Sequence, residues 1–122
     1  MTKKYELTEE TRLFEGRMFY RIRALKAFGA VRVGEFGGWL ESEVNLSQEG
    51  EAWVADCAMA FGNARVFDNA SVGGNALVFD NARVFDNARV FENAWGSGNA
   101  MVFENAWVSG NARVSGNARV RE

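Results

Sequence analysis

The chain contains no histidine, and no other count restricts its chemistry as much. The commonest general base, the commonest metal ligand and every Ser–His or Cys–His pair are missing together. Carboxylates are left to carry any acid–base step. Asp68, Asp86, Glu104 and Glu122 recur at intervals of eighteen residues. Stacked on adjacent rungs about 5 Å apart, such groups would repel, raise one another's pKa and suit a hard cation. The ordinary outcome for such a row, beside arginines and asparagines, is a solvated and locally paired edge. No catalytic residue and no metal ligand is therefore assigned. Arg65, Arg83 and Arg119 follow the same interval, as do Phe67, Phe85 and Phe103.

A repeat is what would align them. From Asn63 to the C-terminus the frame is Asn-Ala-x-Val-x-(Gly/Asp/Glu), seen as NARVFD at 63–68, NALVFD at 75–80 and NARVSG at 111–116. Two degenerate copies, EAWVAD and CAMAFG, carry it back to Glu51 and make twelve hexads. Ala and Val, two apart, share one side of a short strand, and the residues flanking Val take the other. Asp, Glu or Gly followed by Asn lies at each join, and Asn and Gly tolerate positive φ at a corner. The Asn column is thus expected to serve backbone conformation and side-chain-to-backbone bonds. Gly96 stands where Val belongs, which predicts a void or a bulge.

This spacing resembles the hexapeptide repeat of left-handed parallel β-helices, in which three hexads make one triangular turn. The resemblance implies an all-β fold of about four turns, with Val66 and Ala70, Val78 and Ala82, and Val84 and Ala88 facing inward. Its handedness comes from the resemblance, since general crossover preference runs the other way. Residues 1–50 are read as a separate N-terminal β-module and 51–122 as the β-helix. Met18–Leu25 alternates and Ala30–Val33 follows, predicting a hairpin or meander with Thr11–Phe14 as a third strand. Glu35–Leu40 reads as a joint, with Trp39 and Leu40 plugging the first turn. The segments Tyr20–Leu25, Gly37–Trp39 and Asn45–Gly50 are similar to bacteriophage and prophage proteins that couple a short β-module to hexapeptide repeats. That likeness implies a phage product acting inside a bacterium and names no activity.

Stacking by eighteens gives three faces. The first carries Arg65, Arg83, Met101 and Arg119, then Phe67, Phe85, Phe103 and Arg121, then the acidic corner. The second carries Met59, Leu77, Trp95 and Arg113 beside Phe61, Phe79, Ser97 and Ser115, greasy at its upper rungs and expected to lie under the N-terminal module. The third pairs Trp53, Ser71, Arg89 and Trp107 with Ala55, Gly73, Phe91 and Ser109, where Phe91 and Trp107 should touch. A buried Phe hides roughly 150–250 Å², and proteins seldom leave such patches bare. The first face is therefore assigned to self-association as a dimer or trimer, with Phe91, Trp107 and Trp95 as a secondary patch. The plainer alternative is a self-stacked ring ladder flanked by cation–π contacts.

Acyltransferases and γ-type carbonic anhydrases of the hexapeptide fold depend on histidine, and its ice-binding members on threonine rows, which residues 51–122 lack. The reading is a non-catalytic interaction protein that presents Phe, Trp and Arg to a second copy and to a host protein, a defence component among the candidates. The alternative is a binder of small anionic ligands or nucleotides at protomer interfaces, through Arg65, Arg83 and Arg119. A virion structural protein and a carboxylate-based enzyme rank below it. No cofactor is implied. A net charge of −2 disfavours a nucleic-acid partner. The lone Cys57, the absence of an apolar leader and the absence of a membrane-length segment predict a cytoplasmic site in a bacterial host, away from membranes.

Overall fold

The computed structural model describes residues 3–121, and its regular elements are strands, most of them two residues long, apart from one 3-10 turn at Glu43–Asn45. β1 (Tyr5–Phe14) and β2 (Arg17–Ala24) form an antiparallel hairpin. Its two-residue turn, Glu15-Gly16, holds both residues at positive φ, 53° and 76°, the twist that two-residue hairpins favour. The expected second arm at Ala30–Val33 is not a strand, since Phe28 and Val31 make only an isolated bridge. Met18–Ala24 pairs with Tyr5–Phe14 instead, because Glu15-Gly16 closes the chain tightly there.

β3 (Phe36–Leu40) pairs antiparallel with β2 on one edge and parallel with β5 (Met59–Ala60) on the other. One sheet therefore continues from the hairpin into the winding. Beyond β5 it runs through β8 (Leu77–Val78), β11 (Trp95–Gly96) and β14 (Arg113–Val114). A second sheet stacks β4 (Trp53–Val54), β7 (Ser71–Val72), β10 (Arg89–Val90) and β13 (Trp107–Val108). The third stacks β6 (Arg65–Val66), β9 (Arg83–Val84), β12 (Met101–Val102) and β15 (Arg119–Val120). The result is a three-sided parallel β-solenoid of about five turns, one more than the hexads alone suggest.

The added winding is residues 36–50, which the hexad at 51–56 completes into a first turn. Leu40 lies in register with Ala60, Leu46 bridges Val66, and Val54 pairs with Val72. All three first-turn aliphatics are fully buried. Trp39 and Leu40 therefore do not plug the turn. Leu40 lines the interior, and Trp39 lies outside it, beneath the guanidinium groups of Arg12 and Arg21 at 5.5 and 5.9 Å. Tyr5, Ile22 and Ala24, on the inner side of the hairpin, close the end of the core.

The hexad grammar explains the rest. Every Val from Val66 to Val108 and every Ala from Ala64 to Ala106 at the inward positions is buried. Main-chain N–H groups of each turn donate to carbonyls of the next, as from Phe67 to Val84 at 3.0 Å and Asn63 to Asp80 at 2.8 Å. A tight corner closes each hexad, for example Ala64 N–H to Phe61 O at 3.2 Å.

The corner residue at positive φ is the acid or glycine before Asn, among them Asp68 at 59°, Asp80 at 60° and Gly98 at 63°. No asparagine adopts it among the described residues. The Asn amides mainly form ladders: Asn63 donates to Asn81, Asn81 to Asn99 and Asn99 to Asn117 at 3.2–3.3 Å, while Asn69 Oδ1 also accepts from Glu51 N–H at 3.3 Å. Expecting side-chain-to-backbone bonds overlooked that register places like amides one rung apart, where each can donate to the next. At Gly96 the strand keeps its register with Val78 and Val114, so the anomaly is a missing side chain and not a bulge.

Candidate binding surfaces

The first face bears its three rows in strand order: guanidinium, ring, carboxylate. Arg65, Arg83, Met101 and Arg119 are in register on successive rungs. Phe67 stacks on Phe85 at 5.0 Å and Phe85 on Phe103 at 5.3 Å, nearly parallel. The stacked ladder of the plainer reading is therefore real, and each ring is half-buried by it. The cation–π contacts expected beside it are not formed among the described residues. Both faces of the Phe85 ring and one face each of Phe67 and Phe103 are taken by neighbouring rings; Arg65, Arg83 and Arg119 are exposed, and none makes an ion pair among the described residues. Arg121 is exposed as well.

The carboxylate row has a structural occupation. Asp68 Oδ2 accepts from Asp86 N–H at 3.2 Å, and Asp86 Oδ2 from Glu104 N–H at 2.9 Å. The same bond recurs from Gly74 to Asp56, Gly98 to Asp80 and Gly110 to Glu92. Each acid holds the N–H of the left-handed residue one rung on, which explains an acid at a backbone conformation that normally favours glycine. No cluster of metal-ligating side chains occurs among the described residues. Glu122, the expected last member of the row, lies outside them. Cys57 is exposed at a corner.

The second face is covered as expected. Phe19, Trp39, Met59 and Phe61 form a buried cluster with Phe14, Leu77 and Phe79 at its edge. Phe19 meets Phe61 edge-on at 5.3 Å. Trp95 belongs to this face, with Phe79 at 5.7 Å and the Arg113 guanidinium 4.2 Å from its ring. It is thus separated from Phe91 and Trp107, with which the expected secondary patch had grouped it.

Those two do meet on the third face, at 5.9 Å and edge-on, with Arg89 5.6 Å over Trp107. Trp107 is 65% exposed. Above them opens a groove of about 630 Å³, walled by Phe28 and Trp53 at one end and by Arg89, Phe91 and Trp107 at the other. Ser71 and Gly73 are its floor. No sequence argument singled the groove out, yet its signal is present: NASVGG at 69–74 has small residues in both outward positions where NARVFD has Arg and Phe.

A further unexpected feature is the polar plug at the first turn. The Lys4 ammonium is fully buried and donates to Ala52 O at 2.7 Å and Gly50 O at 3.4 Å. Tyr5 Oη donates to Leu46 O at 2.6 Å. These donors satisfy carbonyls that no preceding turn can reach. Burial, with help from Lys26, lowers the Lys4 pKa from 10.5 to about 8. Burial and the Glu43 charge push the Tyr5 phenol above its usual range.

Comparison with known proteins agrees on the repeat. A family model described as YdcK Beta solenoid repeat matches residues 97–110 and 106–122. A protein of Escherichia coli (strain K12) named Uncharacterized acetyltransferase YdcK is 38% identical over 71 residues, 51% of this chain and 22% of that protein. Fold and match together support a hexapeptide-repeat-like β-solenoid. The expectation of a non-catalytic protein is corrected by this relative, whose name is that of an enzyme. Missing histidine removes one base and not the reaction, which a carboxylate can also serve. No helix among the described residues is long and apolar enough to cross a membrane.

Proposed function

We propose that the solenoid is a rigid association module whose first face pairs with a second copy of the chain. The observation that carries this is the row order of guanidinium, ring and carboxylate across exposed Arg65 and Arg83, half-buried Phe67 and Phe85, and Asp68 and Asp86. A two-fold axis along the prism would set ring row against ring row and each arginine row against the partner's carboxylates. A two-fold axis across the prism would oppose arginine to arginine, at a cost. In-register arginines repel one another within one chain, and a facing acidic row removes that penalty. The likeness of the N-terminal segment to phage proteins supports a host-cell setting, with the remaining Trp and Arg side chains offered to a host protein. Phe85→Asp should convert the assembly to a monomer with its β-sheet circular dichroism intact. An unchanged mass by light scattering overturns the pairing.

The name of the Escherichia coli relative favours a second reading, in which the module serves acetyl transfer. In that chemistry an amine attacks the carbonyl of an acetyl thioester, a carboxylate takes the amine's proton, and the C–S bond breaks to release a thiolate, which takes up that proton as the free thiol. Incubation with acetyl-coenzyme A and an amine acceptor, followed by thiol release, tests it. Release at the rate of the protein-free control overturns it.

A further inference from the structure

We propose that the groove on the third face is a binding site for a small flat aromatic anion, the planar group taking the place of the ring missing at Gly73. In the adjacent ladders, rings on successive rungs stack 5.0 Å apart, as Phe61 does on Phe79 and Phe67 on Phe85. On the third face the same row reads Ala55, Gly73, Phe91, so the upper side of the Phe91 ring has no neighbour one rung above. A planar group over Gly73 would continue the ladder at the native spacing. It would replace an absent side chain and displace none.

Three further observations set the ligand's chemistry. The rings of Phe28, Trp53 and Trp107 at the ends of the groove favour an aromatic body. Arg89, exposed at the lower end, has no ion pair among the described residues, while Glu35 and Glu51 line the groove elsewhere, so a ligand's negative group is directed to the Arg89 end. A volume of about 630 Å³ lies within the range of small-ligand pockets.

The test uses the full chain and three probes: 2-naphthoate, its neutral analogue 2-naphthamide, and the non-planar cyclohexanecarboxylate. Two-dimensional ¹⁵N NMR follows the indole N–H signals of Trp53 and Trp107. Saturable shifts of both with 2-naphthoate are expected, with the other two probes about ten-fold weaker or more, one lacking the charge and the other the plane. Gly73→Phe should abolish binding. Gly73 is not among the glycines at positive φ, and an added Cβ meets nothing closer than Asp56 Oδ2 at 3.5 Å, so the variant should keep or raise its melting temperature. Arg89→Gln provides a second reading that leaves the floor untouched, with about a ten-fold loss for 2-naphthoate and little for 2-naphthamide. Phe85→Asp, on another face, should bind as the parent does. The proposal is overturned if 2-naphthoate gives no saturable shift at millimolar concentration, if Gly73→Phe binds it undiminished, or if the three probes bind alike.

Discussion

Gly96→Val puts a side chain where the repeat omitted one. Gly96 points inward on β11 between Val78 and Val114, and its backbone is extended. An added Cβ would meet only Ala82 Cβ, at 3.9 Å, an ordinary contact. Three buried carbons are worth about 2.4 kcal/mol at about 0.8 kcal/mol each. Losing glycine's freedom in the unfolded chain adds roughly 0.5–1 kcal/mol, and imperfect fit in a close-packed interior subtracts a similar amount. The net expectation is about 2 kcal/mol of added stability. For a chain of 122 residues, roughly 2.1 cal/mol/K of unfolding entropy per residue converts this to a melting temperature about 8 °C higher. Gly96→Ala should give about half that. Gly98→Ala is the matched control: φ is +63° and the new Cβ would sit 2.8 Å from Gly116 N, so the same substitution two residues away should destabilise. Differential scanning calorimetry on the three variants decides the matter. A Gly96→Val protein that melts at or below the parent refutes the missing-side-chain interpretation, and equal shifts at 96 and 98 refute the assignment of inward and corner positions.

Two other perturbations probe the core and its plug. Val84→Asp places a charge in the dry interior and should abolish cooperative melting by circular dichroism; a retained sharp transition would mean Val84 is not inside. For pH, the lowered Lys4 value penalises the charged amine only in the folded chain, so the penalty is complete below about pH 8 and is relieved as pH climbs from 8 towards 10.5. Stability by urea titration should therefore rise over that window, by about 1–3 kcal/mol. Above pH 10 the raised Tyr5 phenol reverses the trend, because the unfolded chain ionises first. Lys4→Met should flatten the rise and leave the later fall, and a parent protein whose stability is level from pH 8 to 10 would contradict the buried-amine geometry.

The solenoid was legible because its grammar is local: Ala and Val two apart, a corner every six residues and like residues every eighteen. The first turn was not, because residues 36–50 build it without that grammar. Leu40 and Leu46 replace Val, and the register to the next turn spans twenty residues and not eighteen. The hairpin partner was misjudged for a similar reason. Glu15-Gly16 lacks the Asn-Gly signature of a two-residue turn, although Glu15 adopts the same positive φ. Lys4 gave no sequence signal at all, since a lysine near an N-terminus reads as solvated until the carbonyls of the first turn are seen to lack donors. The third-face groove was visible in the hexad NASVGG, but only as an omission, and departures toward small residues are easily passed over beside conspicuous aromatics.

Whole-chain charge misleads about what these faces attract. A net −2 suggests a mildly acidic protein, but most acids of the solenoid have one oxygen committed to its backbone. Asp56, Asp68, Asp80, Asp86 and Glu92 each turn an oxygen to a backbone N–H of the following rung, held there by a left-handed corner. The ion pairs among the described residues all lie in the N-terminal portion, joining Lys3, Arg17, Arg21 and Arg23 to nearby glutamates. The arginines of the repeats are left with rings or water for company. Corner geometry thus commits one oxygen of each of these exposed acids to the backbone and leaves its second oxygen to solvent or to a partner. The proposed dimer sets Arg65 and Arg83 against the carboxylate oxygens of Asp68 and Asp86 that the backbone does not use, and the proposed groove draws on Arg89.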